Sequence, residues 1–122
     1  MNLSAAIAGM METREALNSP EGLSSPTFIS EKIQTLAQYV GVIEMHLAEL
    51  ESDLTIQEAA RYKQYMAEGK KTSTAKDLAR FDFTAQHAEI NKLSRYISSS
   101  WKIVSTSQSR IKHLIEEARN QI

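Results

Sequence analysis

The stretch SPTFISEKIQTLAQYVGVIEMHLAELESDL, residues 25–54, decides the fold class. Ser25 before Pro26 is a helix start: the hydroxyl can accept an orphan N–H, and proline at the first helical position gives up a donor that has no partner anyway. From there Ile29, Ile33, Leu36, Val40, Ile43, Leu47, Leu50 and Leu54 alternate at spacings of four and three. That is the heptad stripe of a helix packed along a partner helix. The stripe falters at Gln57 and resumes in a shifted register at Ala59, Tyr62 and Met66, as a stutter does.

Working outward, Gly69 suits the left-handed residue that ends many helices. Lys70-Lys71-Thr72-Ser73 follows as a turn, and Thr74 with Asp77 has the spacing of a capping box. A second stripe runs through Phe83, Ile90, Leu93, Ile97, Val104, Ile111, Leu114 and Ala118, with Gln86, Ser100 and Ser107 in its remaining slots. Serines there fit either a close helix approach or a kink at Ser98-Ser99-Ser100. On the N-terminal side, Leu3, Ile7, Met10 and Leu17 recur at helical spacing. Ser19-Pro20-Glu21-Gly22 then reads as a loop.

The spacing therefore predicts one all-α domain over 1–122: a short helix 4–18, a loop 19–25, a long helix 26–68, a turn 69–74 and a long helix 75–119. Joined by so short a turn, the long helices form an antiparallel, coiled-coil-like hairpin, each arm about 65 Å long at 1.5 Å per residue. Two helices sharing one seam bury too little to offset the entropy of ordering them, so further layers are expected from the first helix and from other copies. Tyr39, Val42, Met45, Trp101, Ile111 and Leu114 are the expected contacts of a homo-oligomer.

The chain has no Cys, which excludes disulfides, thiolate metal sites and cysteine nucleophiles. No basic leader precedes the short Ala5–Ala8 stretch and no apolar run approaches ~18 residues, so no membrane is expected as a partner and the cytoplasm, a host's if the chain is phage-encoded, is the expected location. His46 with Glu49 and His113 with Glu116 share helix faces, but supporting glutamates are not evident, so surface pairing is the expected role. Gly69-Lys70-Lys71-Thr72 lacks the upstream glycine and strand of a phosphate-binding loop. Nothing builds the strained turn of a serine nucleophile. No enzyme, cofactor, metal or small-molecule substrate is expected.

Net charge is −1, unevenly placed: residues 1–60 hold two basic and nine acidic groups, residues 61–122 twelve basic and six acidic. Either the two halves attract each other, or the basic half meets an anionic partner. Around the turn the basic residues interleave with aromatic ones. Single strands are held by cations on phosphates and by bases stacked on aromatic faces. Arg61, Lys63, Tyr65, Lys70, Lys71, Lys76 and Arg80 are the expected nucleic-acid contacts. Tyr62, Phe81 and Phe83 occupy plausible core positions, while Tyr65, Tyr96 and Trp101 are freer.

This layout resembles the phage recombination mediator UvsY family. The likeness spans about residues 30–119: a long helix ending in Arg61-x-x-x-Tyr65 and Gly69, a polar turn, a second long helix, and a close on Ser109-Arg110-Ile111-Lys112-His113-Leu114 and Arg119. Where that family reads Leu-Lys-Ala-Arg, this chain has Glu58-Ala59-Ala60-Arg61, so only the arginine carries over. The resemblance implies a non-enzymatic, oligomeric mediator that binds single-stranded DNA and a recombinase. The competing expectation is a protein-only interaction module, such as a virion assembly adaptor or a small inhibitor of a host defence system, with its acidic half toward a basic partner.

Overall fold

In the computed structural model, which describes residues 1–121, the chain is all-helical. Among the described residues five helices follow one another with no strand: α1 (Leu3–Leu17), α2 (Pro20–Ser24), α3 (Pro26–Ala67), α4 (Thr72–Asp82) and α5 (Thr84–Asn120). They fall into two compact units. The first comprises Met1–Glu44 with residues from Arg95 onward, and the second Met45–Ser94. Both α3 and α5 contribute to each unit.

Three differences from the expected elements have local causes. Where a loop is expected over 19–25, Ser19-Pro20 starts a short helix by the same chemistry as Ser25-Pro26: Ser19 Oγ accepts from the Gly22 N–H at 3.2 Å, and Pro20 takes the first helical position. The expected capping box does not form either. Helix α4 begins at Thr72, two residues before Thr74, with Lys71 as a cap that makes no side-chain bond. Finally, the expected helix 75–119 is broken at Phe83 (φ −115°, ψ 28°), so that α4 ends at Asp82 and α5 begins at Thr84. Phe83 is buried there, and the Thr84 hydroxyl donates to the Phe81 carbonyl at 2.6 Å, giving that carbonyl an alternative partner.

In the first unit the core is built from Ala6, Met10 and Leu17 of α1, Ile29, Leu36, Val40 and Ile43 of α3, and Val104 of α5. The α1 face is rotated from the expected Leu3–Ile7–Met10–Leu17 stripe. Its inward positions are Ala6, Met10, Thr13 and Leu17, while Leu3 and Ile7 are half-buried. Thr13 is tolerated inside because its hydroxyl donates to the Gly9 carbonyl at 2.7 Å. Asn2 caps the helix by accepting from the Ala5 N–H at 2.8 Å.

Tyr39, an expected oligomer contact, is half-buried and lies on Gly9 of its own chain. A Cβ at Gly9 would stand 2.3 Å from the ring's Cζ. Gly9→Ala must therefore swing the ring aside, and it is expected to cost about 1 kcal/mol in urea unfolding. An unchanged midpoint would mean that the ring moves freely. A Cβ at Gly22 would meet the Leu17 and Ala16 carbonyl oxygens at 2.4 and 2.5 Å, so only glycine lets α2 fold back this tightly on the end of α1.

Helix α5 runs through Ser98-Ser99-Ser100 without interruption, and Ser100 and Ser107 are buried alongside Val104. The serine slots are therefore core positions. In the second unit the buried residues are Leu54, Ala75, Ala79, Phe83 and Leu93. Ala75, Ala79 and Phe83 recur every four residues, and two alanines in that row let α4 settle close to its neighbour.

Candidate nucleic-acid interface

All seven residues expected to touch nucleic acid lie in the second unit, around the end of α3, the 68–71 turn and α4. The turn is a Schellman closure. Gly69 has φ +88°, its N–H bonds the Met66 carbonyl at 3.0 Å, and the Lys70 N–H bonds the Tyr65 carbonyl at 3.1 Å. The Tyr65 and Met66 carbonyls near the end of α3 are thus satisfied, and Lys70 and Lys71 emerge exposed immediately before the α4 N-terminus. The free N–H groups of that terminus favour an anion beside the two lysines.

Beyond the turn, Asp82 at the end of α4 meets two of the expected residues on α3. Arg61 Nη1 stands 3.0 Å from Asp82 Oδ2, and the Tyr65 hydroxyl donates to the same oxygen at 2.5 Å. Arg61 also sits over the Phe83 ring, 5.5 Å from its centroid, in a cation–π contact. One turn further along the pair, Glu58 meets His87. Arg61 is therefore positioned by its own unit and is only half exposed.

The Asp82 contact raises the Tyr65 phenol above the ordinary value of 10.0. The hydrogen bond to the carboxylate is the largest cause, with desolvation adding to it and the neighbouring Arg61 opposing it. Because the raised value favours the protonated form, the bond is fully present below pH 10 and is lost only as pH climbs through the raised value. An ultraviolet pH titration is expected to show a late-ionising tyrosine that disappears in both Tyr65→Phe and Asp82→Asn. Superimposable curves for wild type and Asp82→Asn would contradict the assignment.

The remaining expected cations, Lys63, Lys70, Lys71, Lys76 and Arg80, are exposed and make no ion pair among the described residues. Lys76 and Arg80 are one turn apart on α4. Lys76 lines a groove of about 310 Å³ with Glu58, Tyr62, Thr72 and Ala79. Arg80 lines a shallow concavity of about 460 Å³ with Phe81, Thr84, His87 and Asn91. Lys63 lines neither.

Phe81 is the residue that sequence reasoning placed wrongly. Expected as a core position, it is 75% exposed. Phe83, two residues on and therefore about 200° around a helix, is the one turned inward. Asp82, which organises Arg61 and Tyr65, had no signal beyond its place between the two rings.

The expected oligomer contacts lie elsewhere. Val42, Ile111 and Leu114 are half-buried in the first unit. Trp101 is 42% exposed, and its Nε1–H donates to Glu44 Oε1 at 2.8 Å. Met45, in the second unit, is exposed. His113 pairs with Glu117 at 3.1 Å, one residue beyond the expected Glu116. Among the described residues no three His, Asp or Glu side chains are placed to hold a metal ion, and no helix is long and apolar enough to cross a membrane.

No protein-family model, no curated protein and no solved structure matches the chain.

Proposed function

We propose that this chain is a non-enzymatic, phage-type recombination mediator that binds single-stranded DNA and acts with a recombinase. The observation that carries the reading is the grouping, in one unit, of exposed Lys70, Lys71, Lys76 and Arg80 with an exposed Phe81. The acid most central to that region, Asp82, is already occupied by Arg61 and Tyr65. Cations without partners and an unburied ring are what a flexible anionic strand of stackable bases requires. Glu68 and Asp77 dilute the field, so the expected affinity is of micromolar class.

The test is fluorescence anisotropy of a labelled single-stranded oligonucleotide across a salt series. Affinity should fall steeply as salt rises, because each phosphate contact releases counterions, and Lys70→Glu with Lys71→Glu should abolish binding. Unchanged affinity in that double variant removes the turn from the interface.

The reading includes an antiparallel hairpin and a homo-oligomer, for which sedimentation should give a multiple of 13.7 kDa. A second reading, a protein-only interaction module, is favoured by the exposure of Met45 and Ile56, at 66% and 67%, in the same unit. It predicts partner binding that survives moderate salt and no affinity for oligonucleotides.

A further inference from the structure

The first unit has a basic concavity of its own, built from residues that the interface above does not use. Arg14 of α1 and Arg95 and Lys102 of α5 line a hollow of about 440 Å³ together with Tyr96 and Ser99. Arg95 and Lys102 are seven residues, two turns, apart and so share one face of α5. Arg14 reaches that face from the neighbouring helix, and its Nη1 donates to Ser99 Oγ at 3.1 Å. The bond fixes the direction of the guanidinium but uses only one of its five N–H donors.

No acid balances the cations of this hollow. In the second unit Arg61 and His87 each meet a carboxylate. Here no carboxylate lines the hollow, and among the described residues none of Arg14, Arg95 and Lys102 forms an ion pair. Three like charges around one concavity repel one another, and an anion seated there relieves that cost. Two guanidinium groups and an ammonium suit tetrahedral oxyanions, because arginine presents paired N–H donors at phosphate spacing. The hydroxyl of the exposed Ser98, also in the lining, adds a further donor.

We propose that this hollow is a phosphate-binding site. Under the function proposed above, on which this choice of source rests, the phosphate is a backbone group of single-stranded DNA. The first unit then takes part in holding the strand in its own right.

The experiment uses the full chain with two probes, inorganic pyrophosphate and a labelled oligothymidine. Wild type is compared with Arg95→Gln plus Lys102→Gln, and with Arg14→Gln alone. Both α5 residues are exposed, so the double variant should keep its circular dichroism. Pyrophosphate should shift the amide resonances of residues 95–102 in wild type but not in the double variant. Oligothymidine affinity should fall at least tenfold, and the slope of log K against log salt should become shallower by about 1.4, two contacts at ~0.7 each. Arg14→Gln should weaken both probes and, if it also loosens α1, shows that separately in its melting curve.

The proposal is overturned if pyrophosphate shifts nothing near residues 95–102, or if it shifts them equally in the double variant. If oligothymidine binds wild type and double variant alike, DNA is excluded from the hollow while the DNA reading of the second unit stands. If pyrophosphate binds as expected and oligothymidine does not bind at all, the phosphate site holds and the mediator reading fails.

Discussion

Ser100→Leu is expected to cost the first unit about 3 kcal/mol or more, whereas Ser100→Ala should stabilise it by about 1 kcal/mol. Ser100 has no exposed surface, and its Oγ has no hydrogen-bond partner among the described residues. A buried hydroxyl without a partner carries a desolvation penalty of ~1–3 kcal/mol. Alanine removes that penalty and leaves only a small void. Leucine must place three further carbons where a small residue now sits. Arg14, bonded to the adjacent Ser99, shows α1 running against this turn of α5, so the extra volume meets a helix and not solvent. Overpacking of this kind costs ~1–3 kcal/mol and more where the backbone cannot move. Paired urea melts followed by circular dichroism read both signs. A destabilised alanine variant would mean that the hydroxyl has found a partner in solution. A tolerated leucine would mean that the helices are not held close at this point.

Much of this fold was legible because its signals are local. Ser25-Pro26, the 4-3 stripe from Ile29 to Leu54 and the positive φ of Gly69 are each decided by a few neighbouring residues. What escaped depends on tertiary contacts. In α1 the inward face is carried by Ala6 and Thr13, residues that a reading based on hydrophobic size ranks low. They are inside because small side chains permit close approach and because Thr13 satisfies its own hydroxyl. The break at Phe83 carries no glycine or proline. It depends on burying one ring while Thr84 takes the carbonyl of Phe81. The helix at 20–24 was missed for a different reason: Ser19-Pro20 carries the same start signal as Ser25-Pro26 and was read as punctuation.

The candidate interface divides in the same way. Lys70, Lys71, Lys76 and Arg80 were legible because an exposed cation on a polar helix face needs no tertiary information. Phe83 was legible from its place on the second stripe, but the exposure of Phe81 was not, since only packing decides whether the second ring also finds room inside. The pairing of Arg61 and Tyr65 on Asp82 was equally hidden, since it spans 17 and 21 residues of sequence. It also changes what Arg61 can do. The arginine that the family resemblance singled out already has a carboxylate partner, so a phosphate reaching it must compete with Asp82.

Arg110→Met is expected to cost about 2–3 kcal/mol, although it lies in a segment that carries the family resemblance. Its Nη1 donates to the Gly22 carbonyl at 2.9 Å and reaches the Leu17 carbonyl at 3.4 Å. Leu17 is the last residue of α1, and Gly22 lies in the final turn of α2, so one guanidinium meets the negative ends of two helices. Hydrogen bonds from a charged donor are worth ~1.5–3 kcal/mol, and a cation at a helix C-terminus adds ~0.3–1 kcal/mol. Methionine keeps the apolar stem, so the loss reads the bonds and not the packing. Lys112→Met, on an exposed neighbour, should stay within about 0.5 kcal/mol. The effect must also be local. Amide hydrogen exchange should quicken first across residues 17–25 and leave the second unit unchanged. If Arg110→Met and Lys112→Met melted alike, the α1–α2 corner would be held by Gly22 and Ser19 alone, and Arg110 would be released for a role at the surface.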